Sequence, residues 1–382
     1  MEYVGAVSLI LMATLLAGAL SQRFGLPNVI GQLLIGIILG PGVLHILSDN
    51  ELMAAGAEIG VIILMFLAGL ESDLDLLKKY LKPALAVAVL GVILPMGVFY
   101  GLGLMNHQGF EKSLFWGVIF SATSVSISVE VLREFHQLSS KEGATILGAA
   151  VVDDVIAVVL LSIFTSTFGV ENSDTNLWLA SFWQILYFAG VFALVKWIAP
   201  WLLHFAQRVP VPSSVAITSM ALCLAMAWLA DVAGLSAVVG AFFAGIAVGR
   251  TKYRGEVDEN ISPIGNTFFV PIFFVSIGMA MEFDGVLHNL GFIIIMTVMA
   301  LLTKHLGGAL GAKFTGMNWN SANLIGSGMI SRGEMALIIT QIGLAAGLLG
   351  RELYSEIIIV IVLTTIAAPI LLKYAINKIK AE

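Results

Sequence analysis

Two acids, Asp153 and Asp154, stand side by side in GAAVVDDVIAVVLL, residues 148 to 161, a run otherwise made of aliphatic residues and one glycine. Three further ionisable residues interrupt apolar runs: Lys304 in LLTKHLGGALGAKF, and Arg332 and Glu334 in MISRGEMA. The stretch SATSVSIS, residues 121 to 128, adds Ser121, Thr123, Ser124, Ser126 and Ser128. A carboxylate flanked by hydroxyl and carbonyl oxygens is a hard donor set that suits Na+ or Li+. When desolvation and a nearby cation act on such a carboxylate in opposite senses, it can hold a proton or a metal ion, but not both. Neighbours on a helix point about 100° apart, so the two acids do not serve one role symmetrically. One can meet a fixed basic partner while the other faces a water-filled cavity. A dyad of the aspartic-protease kind must bring two carboxylates together to share a proton, which adjacent helical residues do not do.

These residues sit in a chain built for lipid. Of the 382 residues, 59% are hydrophobic and 12% charged, against about 25% charged in soluble domains. Apolar stretches of about 20 residues, the length that spans a bilayer core as a helix, recur throughout. Breaking the chain at its polar, Gly and Pro clusters predicts thirteen helices, near 3–22, 28–46, 52–70, 83–105, 113–133, 142–168, 176–198, 213–231, 234–250, 262–281, 286–313, 321–349 and 352–376. With the N-terminus outside, fourteen Lys and Arg fall in cytoplasmic connections and only Lys112 and Arg351 outside, the asymmetry expected of a membrane protein. Lys196, Lys304 and Arg332 fall within spans, and Lys196 can snorkel to the cytoplasmic surface. No Lys or Arg precedes the first apolar run and Arg23 follows it, which favours a retained N-out anchor over a cleaved signal. The single cysteine, Cys223, allows no disulfide within the chain.

Each charge in hydrocarbon costs at least about 2.5 kcal/mol on insertion scales, so mid-span ionisable residues are functional candidates. For Arg332 and Glu334, an ion pair that locks helices together is the competing reading. Lys304 is the expected partner of one aspartate, because Gly307, Gly308 and Gly311 beside it give a small-residue face that lets another helix approach. The hydroxyl run is either a regular helix with back-bonded hydroxyls or a break at mid-membrane whose freed carbonyls and hydroxyls coordinate a cation.

An internal repeat supports the break. GLPNVIGQLLIGIILG from Gly25 and GLSAVVGAFFAGIAVG from Gly234 align four glycines at an offset of 209 residues, and the same offset pairs Gly69 with Gly278 and Asp75 with Asp284. The offset spans seven predicted helices, an odd number, so the second half enters the membrane from the opposite side. Inverted repeats of this kind, with interruptions at matching places, are characteristic of secondary transporters. The offset carries 121–128 onto the region of Arg332, Gly333 and Glu334.

A carboxylate that binds a proton or Na+ in competition, exposed alternately to each side, suffices for obligatory exchange. The expected assignment makes Asp154 the exchanging group and pairs Asp153 with Lys304. If Lys304 deprotonates when Na+ displaces it from Asp153, one net charge crosses per cycle. A passive cation channel would also place acids and hydroxyls at mid-membrane, but would not need a buried lysine, which repels permeating cations.

AAVVDDVIAVV, ATSVSIS, TKHLGGALGAK and ISRGEMAL together resemble bacterial Na+/H+ antiporters of the cation:proton antiporter-2 family, NapA type. The resemblance covers essentially the whole chain. It implies an all-α polytopic protein of thirteen transmembrane helices with inverted six-helix repeats, 3–168 and 213–376, joined by a linker helix at 176–198. It further implies two broken crossing helices, as in NhaA/NapA-like antiporters. Core helices, 83–168 and 286–376, would move like an elevator against the remaining, dimerising scaffold of a homodimer in the bacterial cell membrane. By position, the ion-binding set falls on Asp154, Asp153, Thr123 and Ser124, the coupled salt bridge on Asp153 and Lys304, and the second break on Arg332 to Glu334. No enzymatic activity and no cofactor is expected, since Na+ or Li+ and protons are substrates. A potassium/proton antiporter of the same fold is the alternative.

Overall fold

The computed structural model describes residues 2–47, 51–168, 177–280 and 289–380. Among them the chain is helical, without a strand, as an apolar chain in lipid must be if every backbone polar group is to find an internal partner. In order, the helices are α1 (Glu2–Arg23), α2 (Asn28–Leu39), α3 (Glu51–Glu71), α4 (Leu74–Lys79), α5 (Leu81–Met105), α6 (Phe110–Ser121), α7 (Val125–Glu134), α8 (Lys141–Phe168), α9 (Leu177–Ala193), α10 (Ala199–Ala206), α11 (Ser214–Val232), α12 (Ala237–Gly249), α13 (Arg254–Ile264), α14 (Val270–Met279), α15 (Leu290–Phe314), α16 (Trp319–Gly328), α17 (Glu334–Ala345) and α18 (Arg351–Lys380). Single π-helical turns, Leu194–Ile198 and Gly265–Phe269, join α9 to α10 and α13 to α14. Among the described residues, ten helical stretches are long and apolar enough to cross a membrane, counting α6 with α7, α9 with α10 and α13 with α14 as continuous. Three shorter apolar helices stand at Asn28–Leu39, Ala237–Gly249 and Met335–Leu344.

The helices at 113–133 and 321–349 are each interrupted where the two breaks were expected, the first over residues 122–124 and the second between Gly328 and Glu334. The helix expected at 262–281 begins earlier, at Arg254, because the polar turns of RGEVDENISPI continue the same helix beyond its apolar part. Asp284, paired by the repeat with Asp75, lies outside the described residues.

The chain forms two compact units. The first comprises Met1–Leu11, Asn50–Leu76 and Asp174–Phe273. Within it, α3 lies against α12 at a glycine crossing: a Cβ on Gly245 would stand 3.0 Å from the Gly69 Cα and 2.8 Å from the Leu70 nitrogen. Gly240 likewise brings α12 onto the Met226 carbonyl of α11.

The second unit comprises Met12–Asp49, Leu77–Ser173 and Phe274–Glu382. Here the crossing pairs Gly36 of α2 with Gly278 of α14, each Cβ position standing 2.9 Å from the other glycine's Cα. Gly31 meets the Ala17 carbonyl in turn. Helix α15 packs along α5 through Gly307 and Gly311, which face the Leu90 and Ala86 carbonyls, and against α16 where Gly308 meets Gly326. Only glycine allows backbones this close. An aromatic layer fills the middle of this unit: Phe99 stacks on Phe120 with centroids 3.9 Å apart, and Trp116 meets Phe292 edge-on at 5.9 Å.

The offset of 209 residues runs through these elements. It carries the first residue of α5 onto that of α15, α6 onto α16, α7 onto α17 and the start of α2 onto the start of α12. It also carries Gly25 onto Gly234, both at left-handed φ of 66° and 72°, and the Gly69–Gly245 contact onto Gly278–Gly36.

Candidate functional site

The second unit brings most of the singled-out residues into one buried cluster. Helix α6 ends at Ser121, and Ala122 leaves it with an extended backbone (φ −64°, ψ 144°), as does Ser124 (φ −101°, ψ 117°). Across from it, residues 330–333 run without helical structure from α16 to α17. The two stretches bind each other. The Ser124 N–H donates to the Ser331 carbonyl at 2.8 Å and the Ser331 hydroxyl donates to the Ser124 carbonyl at 2.5 Å. Ser128 Oγ donates to the Gly328 carbonyl, also at 2.5 Å. Gly333 is required here, since a Cβ would stand 2.7 Å from Ser124 Oγ. Thus each non-helical segment supplies partners that its own broken helix no longer provides, which is how irregular backbone survives at membrane depth.

The last carbonyls of α6 have no partner within the helix and lie at the negative end of its dipole, where cations are favoured. Two buried cations meet them. Arg332 donates from Nε and Nη2 to the Phe120 carbonyl at 3.2 and 2.9 Å, and from Nη1 to Ile330 at 3.2 Å, with its guanidinium over the Phe120 ring. Lys304 donates to the Ser121 carbonyl and faces both oxygens of Asp153, each at 3.4 Å. Lys304 and Arg332 are completely buried, and Asp153 is 1% exposed. Asp154, the next residue of α8, is 8% exposed and near enough to act electrostatically on the Lys304 ammonium.

The cluster therefore holds two carboxylates and two basic groups in an enclosed volume, with formal charges that balance when all four are ionised. Any further cation must displace a proton or leave an uncompensated buried charge, which is costly. One oxygen is conspicuous. Thr123, in the extended break, is 4% exposed and its Oγ1 has no hydrogen-bond partner among the described residues. Buried hydroxyls are normally satisfied, so this one is a candidate ligand for an ion.

Of the expected residues, the structure joins Asp153 with Lys304 and puts Thr123 and Ser124 in the break. Arg332 spends the donors described on carbonyls, while the Glu334 side chain lies outside the described residues, so their expected pairing is not resolved. Sequence reasoning missed Ser331, which ties the crossing together, and the second bond of Lys304, to the broken helix. Ser331 carried a signal nonetheless: it is the only hydroxyl in the second interruption, MISRGEM.

A family described as "Sodium/hydrogen exchanger, transmembrane" matches residues 10–378. The chain is 48% identical to a Na(+)/H(+) antiporter of Enterococcus hirae, with 100% of both chains aligned. It is 41% identical to the Na(+)/H(+)-K(+) antiporter GerN of Bacillus cereus, over 98% of this chain and 96% of that one. Among solved structures, the sodium proton antiporter MjNhaP1 of Methanocaldococcus jannaschii shares the fold at a TM-score of 0.67 and 16% identity, over 97% of this chain and 96% of that chain.

Proposed function

Because this chain belongs to the transmembrane sodium/hydrogen exchanger family, and so exchanges cations for protons across a membrane, we propose that it trades cytoplasmic Na+ or Li+ for external H+ at Asp154. The observation that carries the assignment is the split of the two acids. Asp153 faces a lysine at 3.4 Å, whereas Asp154 follows it on a helix near a break with an unsatisfied hydroxyl, Thr123 Oγ1. Asp154 holds either a proton or the metal ion, with Thr123 and Ser124 adding hard oxygens.

Arrival of Na+ draws on Asp153 as well, and weakens its hold on Lys304. Lys304 then releases its proton, so two protons leave for each Na+ and one net charge moves per cycle. At about 2.3 kcal/mol per charge per 100 mV, the membrane potential contributes substantially to the drive. Arg332 is a positioning residue in this scheme: it holds the Phe120 carbonyl and keeps the broken end of α6 fixed.

Thirteen membrane crossings with the N-terminus outside fit the positive-inside count, the broken helices α6–α7 and α16–α17 each counting as one crossing. The 209-residue correspondence, down to the exchanged glycine contacts, supports an inverted repeat, which places such a site at mid-membrane. In this reading the ion-bearing core, 83–168 and 286–376, moves against a scaffold through which two copies associate.

K+ is the second substrate reading, favoured by the likeness to GerN, whose name includes K(+). Purified protein in proteoliposomes carrying a trapped pH dye tests both. Outward Na+, Li+ or K+ gradients are imposed in turn, and proton movement driven by Na+ and Li+ is expected. Cation flux that persists without any counter-movement of protons would instead make the protein a channel.

A further inference from the structure

Away from the charged cluster, a cavity of about 340 Å³ opens in the second unit where α6, α15 and α18 all begin. Asn106, Gln108, Trp116, Asn289, Glu352 and Glu356 line it, with Phe292 and Leu353. Glu356 is 8% exposed, in the second turn of α18 where its apolar run begins, and the scheme above gives it no role. Its Oε1 accepts from Asn289 Nδ2 at 2.8 Å. Glu352 stands four residues earlier on the same helix, so the two carboxylates share a face and repel each other. A bound cation removes that repulsion.

A second observation points independently to an occupant. Trp116 is 1% exposed, and its Nε1–H has no hydrogen-bond partner among the described residues. An indole N–H in a polar cavity calls for an acceptor, and water held by a cation supplies one while the carboxylates hold the charge. Asn106 Nδ2 is already committed to the Leu102 carbonyl and Asn289 Nδ2 to Glu356, which leaves their amide oxygens as further acceptors beside the two carboxylates.

Trp116 also connects the cavity to the charged cluster. It lies five residues before Ser121 on α6, a rise of about 7.5 Å. On the same helix, Phe120 stacks on Phe99 and its ring carries the Arg332 guanidinium, so α6 runs from the cavity to the charged cluster.

We propose that this cavity is a loading subsite for a partly hydrated monovalent cation, held by Glu356 and Glu352, on the face of the membrane opposite the C-terminus. It rests on the exchange reading given above. The test uses the full-length protein in membrane vesicles of both orientations, measuring the apparent KM for Na+ from each face. Glu356→Gln keeps the size of the side chain and an acceptor for Asn289. It should raise KM about tenfold from the cavity face, equivalent to about 1.4 kcal/mol, and leave the KM from the other face as in wild type. Trp116→Phe, which removes only the N–H and part of the ring, should shift the same face in the same direction by less. The same fold-change in KM from both faces in Glu356→Gln, or no change from either, overturns the subsite, because a purely structural role or none is then sufficient. The unchanged face doubles as the folding control. Exchange failing in the wild type itself would count against the exchange reading and not against the cavity.

Discussion

Replacing Lys304 by methionine tests the buried cluster through its energetics. The ammonium is fully buried, donates to the Ser121 carbonyl and faces Asp153 at 3.4 Å. Methionine keeps the length and loses the charge, leaving a carboxylate that is 1% exposed without the cation that faces it at 3.4 Å. Breaking a buried pair from one side costs about 3–5 kcal/mol. Adding Asp153→Asn removes the orphaned charge, so the double variant keeps only the cost of the uncapped Ser121 carbonyl and the new amide, about 1–3 kcal/mol. The double variant should therefore be more stable than Lys304→Met alone, by about 2 kcal/mol from these two figures. Denaturant unfolding of the four proteins in detergent, analysed as a double-mutant cycle, gives the coupling directly. If Lys304→Met and the double variant unfold together, or if the two single losses simply add, the pair is not the electrostatic unit described here.

Thr123→Val should leave stability unchanged or slightly raised, because its Oγ1 has no partner to lose, while raising the apparent KM for Na+ about tenfold, the equivalent of about 1.4 kcal/mol; a stability loss without a KM change would make the hydroxyl structural. Ser331→Ala removes the bond to the Ser124 carbonyl and should cost about 1 kcal/mol of stability together with most of the transport rate, measured in the same proteoliposomes. Gly245→Ala places a methyl 2.8 Å from the Leu70 nitrogen and should lower stability by about 1–3 kcal/mol, readable as a drop in unfolding midpoint, with no change in ion preference.

Much of this arrangement was legible in the sequence because hydrocarbon makes exceptions conspicuous. Asp153, Asp154, Lys304 and Arg332 stood out as charges in apolar runs, and all four prove buried in one unit. The glycine register was legible for a similar reason: Gly36, Gly69, Gly245 and Gly278 recur at one offset, and each lies at a close backbone crossing. What could not be read was pairing set by backbone atoms. Nothing in the residue type of Phe120 or Ser121 announces that its carbonyl will need a cation, since that follows from the helix ending there. For Arg332 the sequence offered an ion pair with Glu334, whose side chain lies outside the described residues, and gave no sign of the bonds it makes to the Phe120 and Ile330 carbonyls. The hydroxyl run by itself admitted a regular helix as well as the break that the repeat favoured, because serine can bond back to its own helix; Ser121 does so, donating to Val118, while Ser128 reaches across to Gly328. Glu356 escaped notice because it lies only one turn inside its helix from Glu352, where an acid reads as an ordinary first-turn residue.

The claim that Asp154 carries the ion meets its most direct test in current recording on solid-supported membranes bearing the purified protein. A Na+ concentration jump on the wild type should give a transient current, and Asp154→Asn should give none, while retaining the unfolding midpoint of the wild type. Na+-driven current and proton movement that survive in Asp154→Asn would contradict the account.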